Sequence, residues 1–205
     1  MLRMGVLVSG GGTNLQAIID KLSTSQICNC DIAVVVSSKD GAFALERATR
    51  AGIQTAVVSK KDHEDDFDKV LIETLEAHKV DFVVLAGFMQ ILGAELIKRF
   101  ENKIINVHPS LIPSFCGKGF YGLIPHEEVI KHGVKLTGAT VHFVTEGADE
   151  GPIILQKAVE VRDDDTADVL QKRVMEMAEW EILPQAINLF CLGKLQVDGR
   201  RVKFL

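Results

Sequence analysis

Five short apolar runs, Met4 to Val8, Ile32 to Val36, Thr55 to Val58, Phe82 to Leu85 and Ile104 to Val107, alternate with segments of helical period. No other feature constrains the chain as strongly. Strands returned by helical crossovers lie parallel and are covered on both faces, so they read as continuous apolar runs rather than alternating ones. The expected fold class is α/β, a doubly wound, mostly parallel, Rossmann-like sheet. Asp65 to His78 illustrates a crossover helix: Phe67, Val70, Leu71, Thr74 and Leu75 recur at three- and four-residue spacing, with Asp62 available as a cap and acidic residues in the first turn.

After Pro109 the rhythm changes. A Gly-, Pro- and aromatic-rich loop from Ser110 to Pro125 leads to a short helix, His126 to His132, and then to two long apolar runs, Leu136 to Val144 and Ile153 to Val161. These runs are expected to pair as antiparallel or mixed strands across the Gly147 to Pro152 connection. Asp163-Asp164-Asp165-Thr166 then caps a long helix through Val169, Leu170, Val174, Ala178 and Ile182, which Pro184 kinks or restarts. No repeat, low-complexity tract or linker divides residues 1–205, so a single domain is expected.

Two places in this framework carry chemistry. Val6-Leu7-Val8-Ser9-Gly10-Gly11-Gly12-Thr13-Asn14 reads as strand, glycine turn and helix start, which aims free N–H groups and a positive dipole end at an anion. No Lys-Ser or Lys-Thr closes a Walker loop, Leu15 stands where a dinucleotide fingerprint needs glycine, and Ser37-Ser38-Lys39 stands where an NAD site needs a carboxylate. A phosphate monoester on the N–H groups of Gly12, Thr13 and Asn14 is therefore the better ligand, and a nicotinamide nucleotide is not expected. The competing reading is a tight turn that merely needs positive φ. The second place is Asn106-Val107-His108-Pro109-Ser110, where the two-residue period of a strand puts Asn106 and His108 on one face before Pro109 ends the pairing. Open α/β sheets place ligands outside the carboxyl ends of such strands.

Composition narrows the partners. A net charge of −5 and a pI near 5.7 argue against a nucleic-acid surface and favour small molecules. No apolar run is long enough to span a membrane, and Met1-Leu2-Arg3-Met4-Gly5 shows no signal-peptide pattern, so a cytoplasmic protein is expected. The four cysteines fit a reducing compartment. His63, His78, His126, His132 and His142 show no metal-ligand spacing, so no metal is expected. His142, inside an apolar strand, reads as a hydrogen-bonded core histidine.

The glycine loop, the strand end Leu85-Ala86-Gly87-Phe88-Met89, the run Asn106-Val107-His108-Pro109-Ser110-Leu111-Ile112-Pro113 and the segment from His142-Phe143-Val144 to Asp149-Glu150-Gly151-Pro152-Ile153 follow one another in order. In this the chain resembles the folate-dependent phosphoribosylglycinamide formyltransferases (glycinamide ribonucleotide transformylases) over nearly its whole length. The resemblance implies a formyltransferase-type fold and formyl transfer from 10-formyltetrahydrofolate, as cosubstrate, to the amine of glycinamide ribonucleotide in purine biosynthesis. It implies that Asn106, His108 and Asp149 are catalytic, that Gly12, Thr13, Asn14 and Glu179 bind the ribonucleotide, and that Met89, Gln90, Ile91, Leu92 and Asn106 bind the folate. The first half, about 1–100, would hold the phosphate, and the second, about 101–205, would carry catalysis and the folate. A monomer or weak homodimer is expected. Relatives often carry Arg where Gln90 stands and near Glu64, and a His where Trp180 stands.

The residues suit that chemistry. Amine attack on a formyl carbon needs a donor for the oxyanion and a route for the proton. The Asn106 NH₂ can only donate, and His108 is expected to be cationic near neutrality because Asp149 raises its pKa. Other readings are a methionyl-tRNA formyltransferase-like enzyme, which would need an RNA-binding domain, a formyltetrahydrofolate hydrolase, and a catalytically silent module that binds a phosphate ester.

Overall fold

The chain alternates strand and helix through its first half. β1 (Leu2–Val8), β2 (Cys30–Ser37), β3 (Thr55–Val57), β4 (Phe82–Leu85) and β5 (Ile104–His108) are linked by α1 (Thr13–Ser23), α2 (Phe43–Arg50), α3 (Phe67–Ala77) and α4 (Ala94–Arg99). All five strands pair in parallel, in the order β3-β2-β1-β4-β5. The computed structural model describes residues 1–64 and 66–205, so Asp65, the first residue of the expected crossover segment, lies outside the described residues.

Burial explains why the strands read as unbroken apolar runs. Met4, Val6 and Val8 of β1 face a core beneath α1, whereas Leu7 faces a second core containing Leu71 and Leu75 of α3 and Leu96 of α4. Each of these side chains is fully buried, so truncating one to alanine costs about 2–5 kcal/mol. Both faces of the sheet are thus covered, as a parallel sheet requires.

The second half adds α5 (Ile124–Lys131) and the long antiparallel strands β6 (Leu136–Phe143) and β7 (Ile153–Glu160). α6 (Ala167–Val174) follows, capped by the Thr166 hydroxyl on Val169 N–H as expected. The helix restarts at Trp180, four residues before Pro184. The irregularity comes earlier, as a π-helical turn over Met175–Glu179, and α7 (Trp180–Cys191) runs on through Pro184. Proline lacks an N–H and its ring crowds the carbonyl four residues back, here Trp180, the residue at which the wide turn ends. The α3 cap also differs from expectation: Asp66, not Asp62, stands at the N-cap, and its side chain makes no capping bond. The C-terminal segment forms a hairpin, β8 (Leu195–Asp198) and β9 (Arg201–Phe204), with β9 beside β7, which completes a nine-stranded sheet. Among the described residues no helix is long and apolar enough to cross a membrane.

Candidate active site

The strand order turns back between β1 and β4, so the loops leaving their carboxyl ends part and leave a crevice. After β1 comes the glycine turn. Gly12 is the N-cap of α1 at φ +71°, with no side chain capping the helix. A Cβ on Gly12 would lie 2.6 Å from Ala44 Cβ, whereas one on Gly10 or Gly11 would meet nothing within 4 Å. Turn geometry and packing therefore account for Gly12 alone, and the other two glycines leave the outer face of the loop open. The first-turn N–H groups of Thr13 and Asn14 have no intrahelical partner by construction.

The side chains of this turn point back into the molecule. Asn14 Nδ2 donates to Glu179 Oε2 at 2.7 Å, and the Thr13 hydroxyl lies 3.8 Å from Met175 Sδ. Glu179 is buried by the π-turn, while Glu176 and Glu181 are exposed. Burial pushes the Glu179 carboxyl up to about 7, against the Asn14 hydrogen bond that lowers it.

After β4, Gly87 turns at φ +77° and the loop is tied to the glycine turn by Met89 N–H donating to Ser9 Oγ at 2.8 Å. Met89 and Ile91 are 49% and 70% exposed and form an apolar lip beside the crevice. Gln90 is half-buried, and Leu92 belongs to the core with α3 and α4. Exposed apolar surface next to a turn with no Cβ fits a flat aromatic ligand.

β5 supplies the polar cluster. Its antiparallel register with β6 sets Asn106 opposite His142 and His108 opposite Thr140. Asp149, in the β6–β7 connection at φ +58°, holds Oδ2 3.4 Å from His108 Nδ1 and Oδ1 3.6 Å from His142 Nε2. A non-glycine residue in this region stores backbone strain, which concentrates at functional sites. Asp149 Oδ2 also accepts the Gly117 N–H at 2.9 Å, and His108 Nε2 lies 3.0 Å from the Phe115 carbonyl. The loop after Pro109 is thus fastened to the cluster at two points. Cys116, between them, has its thiol pushed up by burial and by the Asp149 and Glu150 charges.

The proton positions follow from the partners. A carbonyl only accepts, so His108 Nε2 and His142 Nδ1, which faces the Phe143 carbonyl at 2.8 Å, each carry hydrogen. His142 Nε2 then accepts from Asn106 Nδ2 at 3.2 Å, which leaves the second Asn106 hydrogen for a ligand. Burial holds His108 below the ordinary imidazole value, outweighing the Asp149 charge and the Phe115 carbonyl that raise it; the His142 charge lowers it further. The expectation of a resting cationic His108 is therefore corrected. Asp149 does raise its pKa, but loss of water from a nearly buried ring is the larger effect. Burial also raises Asp149, yet the His142 and His108 rings beside its two oxygens, which favour its charged form when protonated, and the Gly117 N–H together hold it below the usual carboxylate range.

His142 is the residue that the sequence placed least completely. It is buried and hydrogen-bonded, but its partners are Asn106 and Asp149 rather than neutral core groups. Pairing the alternation Thr140-x-His142 antiparallel against Asn106-x-His108 was the signal available. His126 on α5 is fully buried with both ring nitrogens unpartnered, and burial with the nearby His108 charge pushes it down to about 4. Among the described residues no group of three or more His, Cys, Asp or Glu is arranged to hold a metal ion.

The formyl transferase family profile matches residues 2–187. The chain is 43% identical over 199 residues to the trifunctional purine biosynthetic protein adenosine-3 of Gallus gallus, covering 96% of this chain and 19% of that protein. It thus spans about a fifth of the length of that relative. To the phosphoribosylglycinamide formyltransferase of Escherichia coli (strain K12) it is 39% identical over 206 residues, covering 96% and 94% of the two chains. Glycinamide ribonucleotide transformylase 1 from Symbiobacterium toebii, a crystal structure, aligns at a TM-score of 0.94 and 45% identity over 100% of this chain and 94% of that one. The chain belongs to the formyltransferase family. The two relatives of matching length carry the names phosphoribosylglycinamide formyltransferase and glycinamide ribonucleotide transformylase.

Proposed function

We propose that the chain transfers a formyl group from 10-formyltetrahydrofolate to the amine of N1-(5-phospho-D-ribosyl)glycinamide in de novo purine biosynthesis. The observation that carries this reading is the convergence of Asn106, His108 and Asp149, with Asp149 Oδ2 3.4 Å from His108 Nδ1. The folate supplies the formyl carbon, and the protein supplies donors and a proton route. The free Asn106 hydrogen is available to the oxygen as it turns anionic, worth on the order of 2.7–4 kcal/mol of transition-state stabilisation in comparable sites. His108, neutral at rest with its hydrogen on Nε2, takes at Nδ1 the proton that the amine sheds on attack and returns it to the departing folate nitrogen. Asp149 stabilises the imidazolium formed between these steps and keeps Nδ1 oriented. His142 orients Asn106.

The same reading assigns the ribonucleotide phosphate to the N–H groups of Gly12, Thr13 and Asn14, and the ribonucleotide's hydroxyl-bearing part to Glu179. It assigns the folate to Met89, Gln90, Ile91, Leu92 and Asn106. The apolar lip and the Gly87 turn support the folate assignment, and the open Gly10-Gly11 face supports the phosphate assignment. One sheet running from β3 to β8 supports a single domain over 1–205, with the Asn14–Glu179 bond joining a phosphate-binding first half to a catalytic second half. We infer a cytoplasmic enzyme working as a monomer or weak homodimer. Mixing purified protein with both substrates and following the deformylated folate by absorbance tests the reading. Product formation that depends on the amine substrate is expected. Formate release without it would mark a hydrolase instead.

A further inference from the structure

The N–H groups of the glycine turn can face an anion only if its carbonyls face elsewhere, because a planar trans peptide points its C=O and the next N–H in opposite directions. All three glycine carbonyls are held. Gly10 O accepts from Ala44 N–H at 3.0 Å, Gly12 O from Gln16 N–H at 2.9 Å, and Gly11 O from the Arg47 side chain, Nε, at 2.8 Å. Two of these are backbone bonds of α1 and α2 that any side chain would allow. The third depends on one residue. Arg47 is itself fixed from two helices: Nη1 donates to Gln16 Oε1 at 3.1 Å, and the guanidinium lies 4.9 Å from the centroid of the Phe43 ring. These partners, a carbonyl, an amide and a ring, are all neutral, so the positive charge beside the loop is not cancelled by them. Arg47 also reaches the cavity of about 550 Å³ that opens past Thr13 between α1 and α7.

We propose that Arg47 is a positioning residue for the ribonucleotide phosphate. By anchoring Gly11 O it turns the Gly12 N–H toward the phosphate, and its charge raises the local affinity for a dianion. This rests on the reading that the glycine turn holds a phosphate ester, and it goes further in naming what orients the turn.

The test compares wild type, Arg47→Met, Arg47→Lys and Arg50→Met. Arg50 approaches the same Phe43 ring and pairs with Glu46 but does not touch the loop. Binding of ribose 5-phosphate by calorimetry and steady-state kinetics for both substrates are measured, with Tm as the check on folding. Arg47→Met is expected to weaken ribose 5-phosphate and raise the ribonucleotide KM about ten- to a hundredfold, as for loss of one charge-assisted hydrogen bond. Its kcat should stay within about twofold and the KM for the formyl donor should not move. Arg47→Lys, which keeps charge without the planar donor, should fall between, and Arg50→Met should match wild type. An unchanged ribonucleotide KM in folded Arg47→Met overturns the proposal, as does a uniform loss in both KM values and kcat together with Tm. Failure of wild type to bind ribose 5-phosphate also overturns it. If wild type binds that ester more tightly than Arg47→Met but transfers no formyl group, the positioning role stands and the proposed activity falls.

Discussion

The two carboxyl groups of the site, Asp149 and Glu179, have opposite characters. Asp149 has a histidine on each oxygen and a backbone N–H besides, and it is held below the usual carboxylate range. Glu179 has one amide, Asn14, and is pushed up to about 7. Depth and partners both differ: Glu179 is the more deeply buried, and it has fewer groups that favour its charged form. In the proposed mechanism the carboxylate that stabilises a transient imidazolium needs to be charged throughout, whereas the one assigned to neutral hydroxyls need not be.

The largest effect should come from breaking the charged side of this contrast. Asp149→Asn should lower kcat about a hundredfold or more, since it removes the group that stabilises protonated His108, and Asn106→Ala should lower kcat about 10²–10³-fold with ribonucleotide KM changed only a few-fold. Steady-state kinetics check both. An Asn106→Ala enzyme with intact kcat and weakened ribonucleotide would recast that amide as a binding group.

The neutral side should respond in stability. Glu179 has a folded pKa of about 7 against an ordinary 4.5, so its folded form is favoured when protonated, and stability from this group falls as pH rises from about 4.5 to 7. Glu179→Gln mimics the protonated state and should raise Tm by several degrees at pH 8, from a penalty on the order of 3 kcal/mol, with the gain vanishing near pH 4.5. Thermal melts across this range would show it, and a gain that does not depend on pH would mean that folding leaves the Glu179 pKa unshifted. His126 has the opposite sign. Its folded pKa of about 4 lies below the usual 6.5, so stability is lost as pH falls from about 6.5 to 4, and His126→Leu should flatten that acid slope in the same melts.

Smaller effects should separate the two uses of glycine in the loop that faces Glu179. Gly12→Ala meets Ala44 at 2.6 Å and must keep positive φ, so a loss of about 1–2 kcal/mol of stability is expected. Gly11→Ala has open space, so stability should hold while ribonucleotide affinity drops about tenfold in calorimetry. Equal stability losses would return both glycines to a purely conformational role.

The parallel half of the sheet was legible because doubly buried strands leave continuous apolar runs, and Asn106 and His108 were legible because a strand's period is two. What depends on distant register was not. His142 finds Asn106 only through the antiparallel pairing of β5 with β6, which no local pattern encodes. Glu179 could not be told from Glu176 or Glu181 by spacing, since regular helical spacing does not anticipate the π-turn that buries it. The charge state of His108 was misjudged because a sequence names the neighbouring acid but not the depth of burial that outweighs it.

The account turns on Asp149 acting electrically on His108, and an NMR titration of the His108 ring in wild type and in Asp149→Asn measures that directly. The wild-type midpoint is predicted to lie below 6.5 and to move lower still in the variant, as loss of the carboxylate removes the charge that holds the proton. An identical midpoint in the two proteins would contradict it.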